Sequence, residues 1–273
     1  MFDLKSQQYK DSSKFNARIH LHAKFATNKY PWFEWVFDNM RKEDNLKVLE
    51  IGCGTGMFWK MNAARIPKNW DITLSDFSEG MLKDAQCAIL NSIKGIKYEV
   101  VDIENIPYES NTYDIAMANH MLYHVPDRKK AFSEIRRVLK KDGIFYATTM
   151  SSDNMKEMGQ LIKEYILESR GLRFFPLKRE NKLFNNFSVE NGGEQLKEYF
   201  NDVTLKIYKN SLLITEAQPL LDYIYSLSDI TSEGMKLNSI NKESFLEFLN
   251  SKIKETGGVI MSSDWGIFIS RNK

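Results

Sequence analysis

The stretch VLEIGCGTG, from Val48 to Gly56, decides the fold, because an apolar run passes through an acid into three glycines at alternate positions. Branched apolar residues of this kind are typical of a buried parallel strand. Gly52, Gly54 and Gly56 allow backbone angles and close approaches that a Cβ would forbid. The dinucleotide fingerprint GxGxxG would need a glycine where Met57 stands, so the spacing here is ExGxGxG. We predict a strand that turns sharply beneath a ligand, with a plain tight turn as the alternative.

Composition and charge limit the classes of protein that this chain can represent. Its 273 residues, 42% of them hydrophobic, suffice for one core domain with insertions. The 38 basic and 36 acidic residues are scattered, so nothing demands a nucleic-acid partner. Cys53 and Cys87 fit neither a disulfide framework nor a zinc spacing, and we expect no metal. The N-terminus is polar and no apolar run approaches the ~20 residues of a membrane span, so we expect a cytoplasmic protein without a membrane partner.

From Leu46 to Met150, short apolar runs alternate with helical patterns, which is typical of a parallel sheet covered by helices on both faces. The predicted strands lie near residues 46–51, 70–75, 96–101, 113–118 and 143–149. The predicted helices cover residues 57–66, 78–92 and 127–141. In such a sheet the ligand lies beyond the carboxyl ends of the strands, so the residues that follow each strand are the candidates for binding.

The pattern divides the chain into four segments. Residues 1–44 form a helical segment, either packed on the core or closing over the ligand, and residues 45–150 form the binding core. Residues 151–199 predict an inserted helical lid around an aromatic and basic loop. Residues 200–273 complete the sheet with strand candidates near 202–214 and 258–270, separated by a helical stretch.

Four successive predicted strands end in a polar residue, namely Glu50, Asp76, Asp102 and Asn119. Asp76 lies twenty residues after the last glycine of the motif, the offset at which an acid binds a pair of ribose hydroxyls in nucleotide-binding folds. An aspartate at a strand end is also a common helix cap, a role that Ser78 could share. The series favours a nucleoside ligand at this edge of the sheet.

The motifs resemble those of class I S-adenosylmethionine-dependent methyltransferases. The resemblance rests on VLEIGCGTG, DFSEGML, VDIENIPYESNTYDIAMANHMLYHVPD and the LKKDG turn, and it covers residues 45–150. It is strongest to the small-molecule branch that includes ubiquinone/menaquinone-type enzymes, known as methyltransferase type 11. It implies an α/β fold with a doubly wound, Rossmann-like, seven-stranded sheet, mostly parallel with a reversed last strand, and S-adenosyl-L-methionine as cofactor. The helical lid matches no family that we can name.

The resemblance implies roles at the methionine end of the cofactor. The backbone of Gly52, Cys53, Gly54 and Gly56 would pass beneath the methionine moiety, with Glu50 near its ammonium group. Because this cofactor has no phosphate, an acid can stand before the glycines.

The resemblance also implies roles at the adenosine end. Asp76 would bind the ribose hydroxyls, and Phe77 and Met81 would flank the adenine. Asp102 and the backbone amide of Ile103 would bind the adenine edge.

Three further residues are candidates at the methionine end. The resemblance implies that Asn119 offers its backbone there. Arg18 is our candidate partner for the cofactor carboxylate, because a guanidinium fork matches that group, and Tyr9 could close the same end. The alternative for Arg18 is a solvated arginine on an amphipathic helix.

Methyl transfer from a sulfonium depends mostly on alignment of the acceptor, so dedicated catalytic residues are few. His124, in YHVPD, resembles the histidine that sugar methyltransferases carry at this place and is our candidate general base. A histidine that only packs the start of the next helix is the alternative. His120 and Tyr123 are weaker candidates.

The sequence constrains the acceptor without identifying it. After the fourth strand the chain reads ANHM rather than the PPY-type tetrad of nucleobase amino-methyltransferases, which favours a small molecule methylated on O, N or C. Phe174, Phe175, Phe184 and Phe187 in the lid suggest a partly apolar or aromatic acceptor, with helices that simply pack as the alternative. An RNA or protein methyltransferase and a non-catalytic S-adenosylmethionine-binding protein remain alternatives, whereas Met57 and Glu50 oppose an NAD-dependent oxidoreductase. The oligomeric state stays open.

Overall fold

The computed structural model describes residues 13–90, 92–171, 185–227 and 240–272, and for residues 13–16 it describes the backbone only. Tyr9 and three of the four lid phenylalanines, Phe174, Phe175 and Phe184, lie outside the described residues.

A seven-stranded sheet forms the centre of the described structure. Its strands are β1 Lys47–Ile51, β2 Asp71–Asp76, β3 Lys97–Val100, β4 Tyr113–Asn119, β5 Leu139–Met150, β6 Asp202–Tyr208 and β9 Trp265–Arg271. They lie in the order β3-β2-β1-β4-β5-β9-β6, and all are parallel except β9, which runs antiparallel to both β5 and β6. A separate antiparallel pair joins β7 Ser211–Ile214 to β8 Val259–Ser262. The predicted fold, with its reversed last strand, is confirmed.

Helices cover both faces of this sheet, and several begin at a side chain that caps them. Ser78 and Asp127 each accept a hydrogen bond from the backbone N–H three residues later, which satisfies a donor that the helix itself leaves unpaired. The described helices are α1 Ser13–Phe25, α2 Trp32–Asp38, α3 Met57–Asn62, α4 Glu79–Ile89, α5 Arg128–Val138, α6 Lys156–Arg170, α7 Gly192–Lys197, α8 Ala217–Ser226 and α9 Lys242–Thr256. None of these helices combines the length and apolar composition needed to cross a bilayer.

Alternate residues of the central strands pack into two different cores, one on each face of the sheet. Val48 packs into the core beneath α2, α3 and α4, whereas its neighbour Leu49 packs into the core beneath α5 on the opposite face. A third core joins α1, α6, α8 and α9 with the β7–β8 pair. The segment 151–199 contributes to two of these cores, since α6 lies in the third, while Phe187 and Leu196 pack beside α5.

Three helices end before their predicted ends: α3 at Asn62 rather than residue 66, α4 at Ile89 rather than residue 92, and α5 at Val138 rather than residue 141. Helix α5 ends at Val138 and β5 begins at Leu139, because Leu139 pairs with Tyr113 and the Asn272 amide donates to the carbonyls of Arg136, Leu139 and Lys140. These partners are remote in sequence, and they replace the predicted continuation of the helix to residue 141.

Each of the two predicted C-terminal strands is in fact a pair of strands. The stretch 202–214 divides into β6 and β7, and the stretch 258–270 divides into β8 and β9. Asp264 stabilises the first break by accepting hydrogen bonds from the Asn210 N–H and the Lys209 Nζ. The chain therefore crosses from one sheet to the other at both points.

Candidate active site

The glycine turn after β1 is a closely packed crossing of the chain. The Cys53 N–H donates to the Ser75 carbonyl oxygen at 2.9 Å, which ties the turn to β2. Gly52 has φ +74°, and a Cβ there would lie 2.8 Å from Met121 Cγ. Gly56 has φ +70°, and a Cβ there would lie 2.7 Å from Cδ1 of Ile89 in α4. The missing side chains at these two positions make room for the protein itself, so a ligand would contact the turn through its backbone.

Glu50 is almost fully enclosed at the carboxyl end of β1, with 1% of its surface exposed. Its Oε1 accepts a hydrogen bond from Asn119 Nδ2 at 2.6 Å, and its Oε2 accepts one from the indole N–H of Trp59. Burial raises the pKa of Glu50 to about 7, against the lowering effect of these hydrogen bonds. A cation near Glu50 would favour the ionised carboxylate, so the environment suits an ammonium group.

Asp76 connects the glycine turn to the start of α4. Its Oδ2 accepts from the Gly54 N–H at 2.9 Å and its Oδ1 from the Ser78 N–H at 2.8 Å. Burial raises the pKa of Asp76. The Phe77 N–H is a third backbone donor to this carboxylate. A carboxylate has about four acceptor positions, so Asp76 combines its turn-forming role with remaining capacity to accept from a ligand hydroxyl.

Two polar side chains within the glycine turn face the interior. Burial, with the nearby charges of Glu50 and Asp76, raises the pKa of the Cys53 thiol well above its usual value, so the thiol stays protonated. The hydroxyl of Thr55 is buried and has no hydrogen-bond partner among the described residues. An orphaned hydroxyl in the turn after β1 fits a binding role.

Exposed apolar groups flank Asp76 at the ends of β2 and β3. Phe77 is 47% exposed, and Val100, the partner of Asp76 in the sheet register, is 57% exposed. Met81 is buried and its N–H donates to the Ser78 hydroxyl. The apolar surface beside a carboxylate suits a flat, weakly polar ring attached to a sugar.

Asp102 and Ile103 follow β3 at the same edge. Asp102 Oδ1 accepts from the Glu104 N–H at 3.0 Å, and a carboxylate with one such bond keeps acceptor positions for a ligand. The Ile103 side chain is buried in the core beneath α5.

Asn119, the last residue of β4, and the two residues that follow it connect two parts of the site. The Asn119 amide donates to Glu50, and Asn119 Oδ1 accepts from the Thr148 hydroxyl at 3.1 Å. The Met121 side chain lies against Gly52. His120, between them, has φ +49°, which is uncommon for a residue other than glycine. Its N–H donates to Thr148, which fixes the backbone in this conformation.

The His120 ring lies in a cluster of aromatic side chains that we call the histidine–tryptophan cluster: His22, Trp32, His120, Tyr208 and Trp265. The ring centroid of His120 is 5.4 Å from that of Trp32 and 5.2 Å from that of Trp265. Trp265 opens β9 opposite Met150, the last residue of β5, so the cluster lies at the carboxyl edge of the sheet.

His124 ends the short 3-10 helix Leu122–His124, with its ring 4.6 Å from that of Tyr123. Burial and the charge of Arg18 lower the pKa of His124 to about 4. The imidazole is therefore uncharged at neutral pH and can accept a proton or a hydrogen bond. The structure brings Arg18 of α1 near His124, and both polar groups lie on the side of the edge reached by the N-terminal helix.

Sequence reasoning missed several residues of this edge. Trp59 supports Glu50, Met121 contacts the glycine turn, and Val100 extends the apolar surface beside Phe77. Trp32 and Trp265 build the histidine–tryptophan cluster. Only Val100 and Met121 had a readable signal, namely a position next to a predicted strand end, whereas the tryptophans come from distant segments.

The fold and the family match place the chain among the class I S-adenosylmethionine-dependent methyltransferases. Residues 49–147 match the family model described as a methyltransferase domain. A demethylmenaquinone methyltransferase of Staphylococcus aureus is 26% identical over 198 residues, which cover 71% of this chain and 81% of the relative.

Solved methyltransferase structures share the fold at low identity. A putative sarcosine dimethylglycine methyltransferase from Galdieria sulphuraria has a TM-score of 0.53 at 18% identity, covering 96% of this chain and 99% of the other. Phosphoethanolamine N-methyltransferase 2 from Haemonchus contortus, solved with S-adenosylhomocysteine, has a TM-score of 0.54 at 19% identity, covering 98% of this chain and 59% of the other.

Proposed function

We propose that this enzyme transfers a methyl group from S-adenosylmethionine to an O, N or C acceptor on a small molecule. The observation that carries the proposal is the pairing of two differently built areas at one sheet edge, a carboxylate-lined glycine turn and a buried aromatic cluster. Bound cofactor would supply an electrophilic methyl group, because its sulfonium is a good leaving group. The residues of the chain would align the acceptor with this methyl group.

We assign the cofactor to the glycine turn and its carboxylates. Glu50 would hold the ammonium group, Asp76 the ribose hydroxyls, and Phe77 the adenine face beside Asp102. The hydrogen bonds to Glu50 and Asp76 support this assignment, because they fix both carboxylates while leaving acceptor positions for a ligand. The backbone of Cys53 and its neighbouring glycines would pass beneath the methionine moiety.

We assign the acceptor to the side of the edge beyond β4 and β5. His124 would accept the proton that an O–H or N–H acceptor loses, and its uncharged state at neutral pH supports this role. Arg18 lies near His124, so it could bind either the cofactor carboxylate or an acidic group of the acceptor. The S. aureus relative is named for a small-molecule acceptor, which favours the same class here. We also propose a cytoplasmic location, because Cys53 and Cys87 are both free thiols.

The test is methyl transfer from S-adenosylmethionine labelled in its methyl group to a cell lysate separated into small-molecule, RNA and protein fractions. We expect label in the small-molecule fraction, where mass spectrometry identifies the product. Label confined to RNA or protein would contradict the proposed acceptor class. Binding of S-adenosylhomocysteine without any transfer would instead indicate a non-catalytic binding protein.

A further inference from the structure

The loop after β4 turns consecutive side chains toward different parts of the site. Asn119 reaches Glu50 and Met121 reaches Gly52, so both neighbours of His120 contact the proposed cofactor area. The His120 ring instead contacts Trp32 and Trp265. His120 is therefore the residue through which the cofactor area and the histidine–tryptophan cluster adjoin.

Three polar atoms in this cluster are buried without a hydrogen-bond partner among the described residues. They are both ring nitrogens of His120 and the indole Nε1 of Trp265. Leaving a buried donor or acceptor unpaired costs about 1–3 kcal/mol for each group, and native structures contain few such groups. Three of them on two rings in contact are most simply explained by a ligand that pairs with them.

The backbone at His120 points to the same conclusion. Its φ of +49° is held by two hydrogen bonds from its N–H to Thr148, one to the carbonyl oxygen and one to the hydroxyl. Strain of this kind persists where the surrounding structure fixes it, and it is concentrated at ligand and active sites. The conformation aims the His120 side chain into the cluster while its neighbours stay on the cofactor side.

The groups that face His120 carry no charge at neutral pH. Burial lowers the pKa of His120 to about 3 and that of His22, on α1, to about 4. His22 is engaged with the Ser263 hydroxyl, and the Tyr208 hydroxyl donates to the Tyr30 carbonyl oxygen. The remaining walls of the cluster are the rings of Trp32 and Trp265. A charged ligand group would be buried here without a counter-ion, which is strongly unfavourable.

We propose that the histidine–tryptophan cluster binds the methyl acceptor, and that His120 and the indole N–H of Trp265 hold an uncharged hydroxyl group of that acceptor against aromatic walls. This inference rests on the proposed function. A hydroxyl group both donates and accepts, so it can donate to one ring nitrogen of His120 and accept from Trp265 Nε1. The proposed S-adenosylmethionine site lies on the other side of Asn119, so the cofactor and the methyl acceptor would meet across the loop after β4.

The test uses three small probes of similar size, phenol, toluene and benzoate, titrated by calorimetry into the enzyme saturated with S-adenosylhomocysteine. We expect phenol to bind about tenfold more tightly than toluene, because only phenol pairs with the buried polar atoms, and benzoate to bind more weakly than phenol. Equal binding of phenol and toluene, or preferred binding of benzoate, would overturn the inference.

Two variants assign the effect to the named atoms. His120→Phe keeps a ring and removes both nitrogens, so the preference for phenol over toluene should fall to within about threefold while S-adenosylhomocysteine affinity is unchanged. Its melting temperature should stay equal or rise, because unpaired polar atoms are removed. Trp265→Phe removes the N–H and should weaken phenol binding severalfold. Trp35→Phe is the control, since Trp35 packs against Trp32 and Tyr208 but contributes none of the three unpaired polar atoms.

The outcomes separate this inference from the proposed function. A wild-type enzyme that binds S-adenosylhomocysteine and methylates a small molecule but shows no preference for phenol contradicts only the inference. A His120→Phe variant that melts lower and keeps the preference gives His120 a structural role and also contradicts it. Absence of labelled small-molecule product, by contrast, contradicts the proposed function.

Discussion

On the cofactor side of the sheet edge, Glu50 accepts two hydrogen bonds from the protein and Asp76 accepts three, whereas on the cluster side the His120 ring and the Trp265 indole make none with the described residues. Asn119 contacts the cofactor side, and the next residue, His120, belongs to the histidine–tryptophan cluster. The cofactor side is thus fixed before a ligand arrives, while the polar atoms of the cluster depend on a ligand for their partners.

This difference matches the different demands on the two areas. A cofactor is the same in every turnover, so rigid carboxylates and a tight glycine turn serve it well. The acceptor distinguishes one methyltransferase from another, and a polar atom that only the correct ligand pairs is a source of selectivity. Changes on the cofactor side should therefore weaken binding of S-adenosylhomocysteine, and changes on the cluster side should leave it intact.

The largest effect is expected from Gly52→Ala. The new Cβ would lie 2.8 Å from Met121 Cγ, which would displace the turn, and a loss of about 3 kcal/mol of binding free energy would weaken S-adenosylhomocysteine binding roughly hundredfold. Gly95→Ala is a matched control, because Gly95 has φ +79° but a Cβ there would meet no atom within 4 Å. Calorimetry should show normal affinity for Gly95→Ala. Equal affinities in the two variants would contradict the packing role of Gly52.

Asp76→Asn should have the next largest effect. It removes the charge from hydrogen bonds worth about 2 kcal/mol, so the dissociation constant of S-adenosylhomocysteine should rise roughly thirtyfold. Asp71→Asn, at the other end of β2, removes an exposed ion pair with Lys97 and should change affinity by less than about twofold. An affinity that Asp76→Asn leaves unchanged would limit Asp76 to its turn-forming role.

His124→Ala should lower turnover more than about tenfold once the acceptor is known, with S-adenosylhomocysteine affinity unchanged. Because its pKa is lowered to about 4, His124 stays unprotonated as the pH falls from 8 to 6, and its titration should not reduce turnover in that range. His20→Ala, on the exposed face of α1, is the control. Unchanged turnover with the true acceptor would refute the role of His124 as a base.

At Glu50 we expect a smaller effect, namely a dependence of the S-adenosylhomocysteine affinity on pH. With a pKa of about 7, its ionised fraction grows about tenfold between pH 6 and pH 8, so S-adenosylhomocysteine affinity should rise by a similar factor, and Glu50→Gln should reduce the dependence. Asp76, whose pKa is also raised, would add in the same direction.

In the unliganded protein, ionisation of Glu50 should have the opposite effect, because it lowers the stability of the fold as the pH rises. The pKa of Glu50 is higher in the folded protein than in the unfolded chain, so folding favours its protonated form and stability is lost as the pH rises from about 4.5 through 7. The loss is on the order of 3 kcal/mol at 1.36 kcal/mol per pKa unit, and Glu50→Gln should reduce it. Urea unfolding at several pH values measures this. A Gln variant with the same pH dependence as wild type would contradict it.

The contrast between the cofactor side and the histidine–tryptophan cluster also explains which features the sequence could predict and which it could not. The glycine turn and the acids at strand ends lie on contiguous motifs, so Glu50 and Asp76 follow from local pattern and spacing, and the seven-stranded fold follows from the family resemblance that these motifs carry. The histidine–tryptophan cluster is assembled from α1, α2, β6, β9 and the loop after β4, and no local pattern links residues so far apart. The early start of β5 escaped prediction for the same reason, since it depends on Asn272 at the far end of the chain.

A crystal structure with bound S-adenosylhomocysteine would show whether the sheet edge is divided into a cofactor side and an acceptor side. We predict the ribose hydroxyls on Asp76, the ammonium group near Glu50, and the sulfur atom facing the histidine–tryptophan cluster across the loop at His120. A sulfur atom that faces away from this cluster, or a ribose bound away from Asp76, would rule out this division.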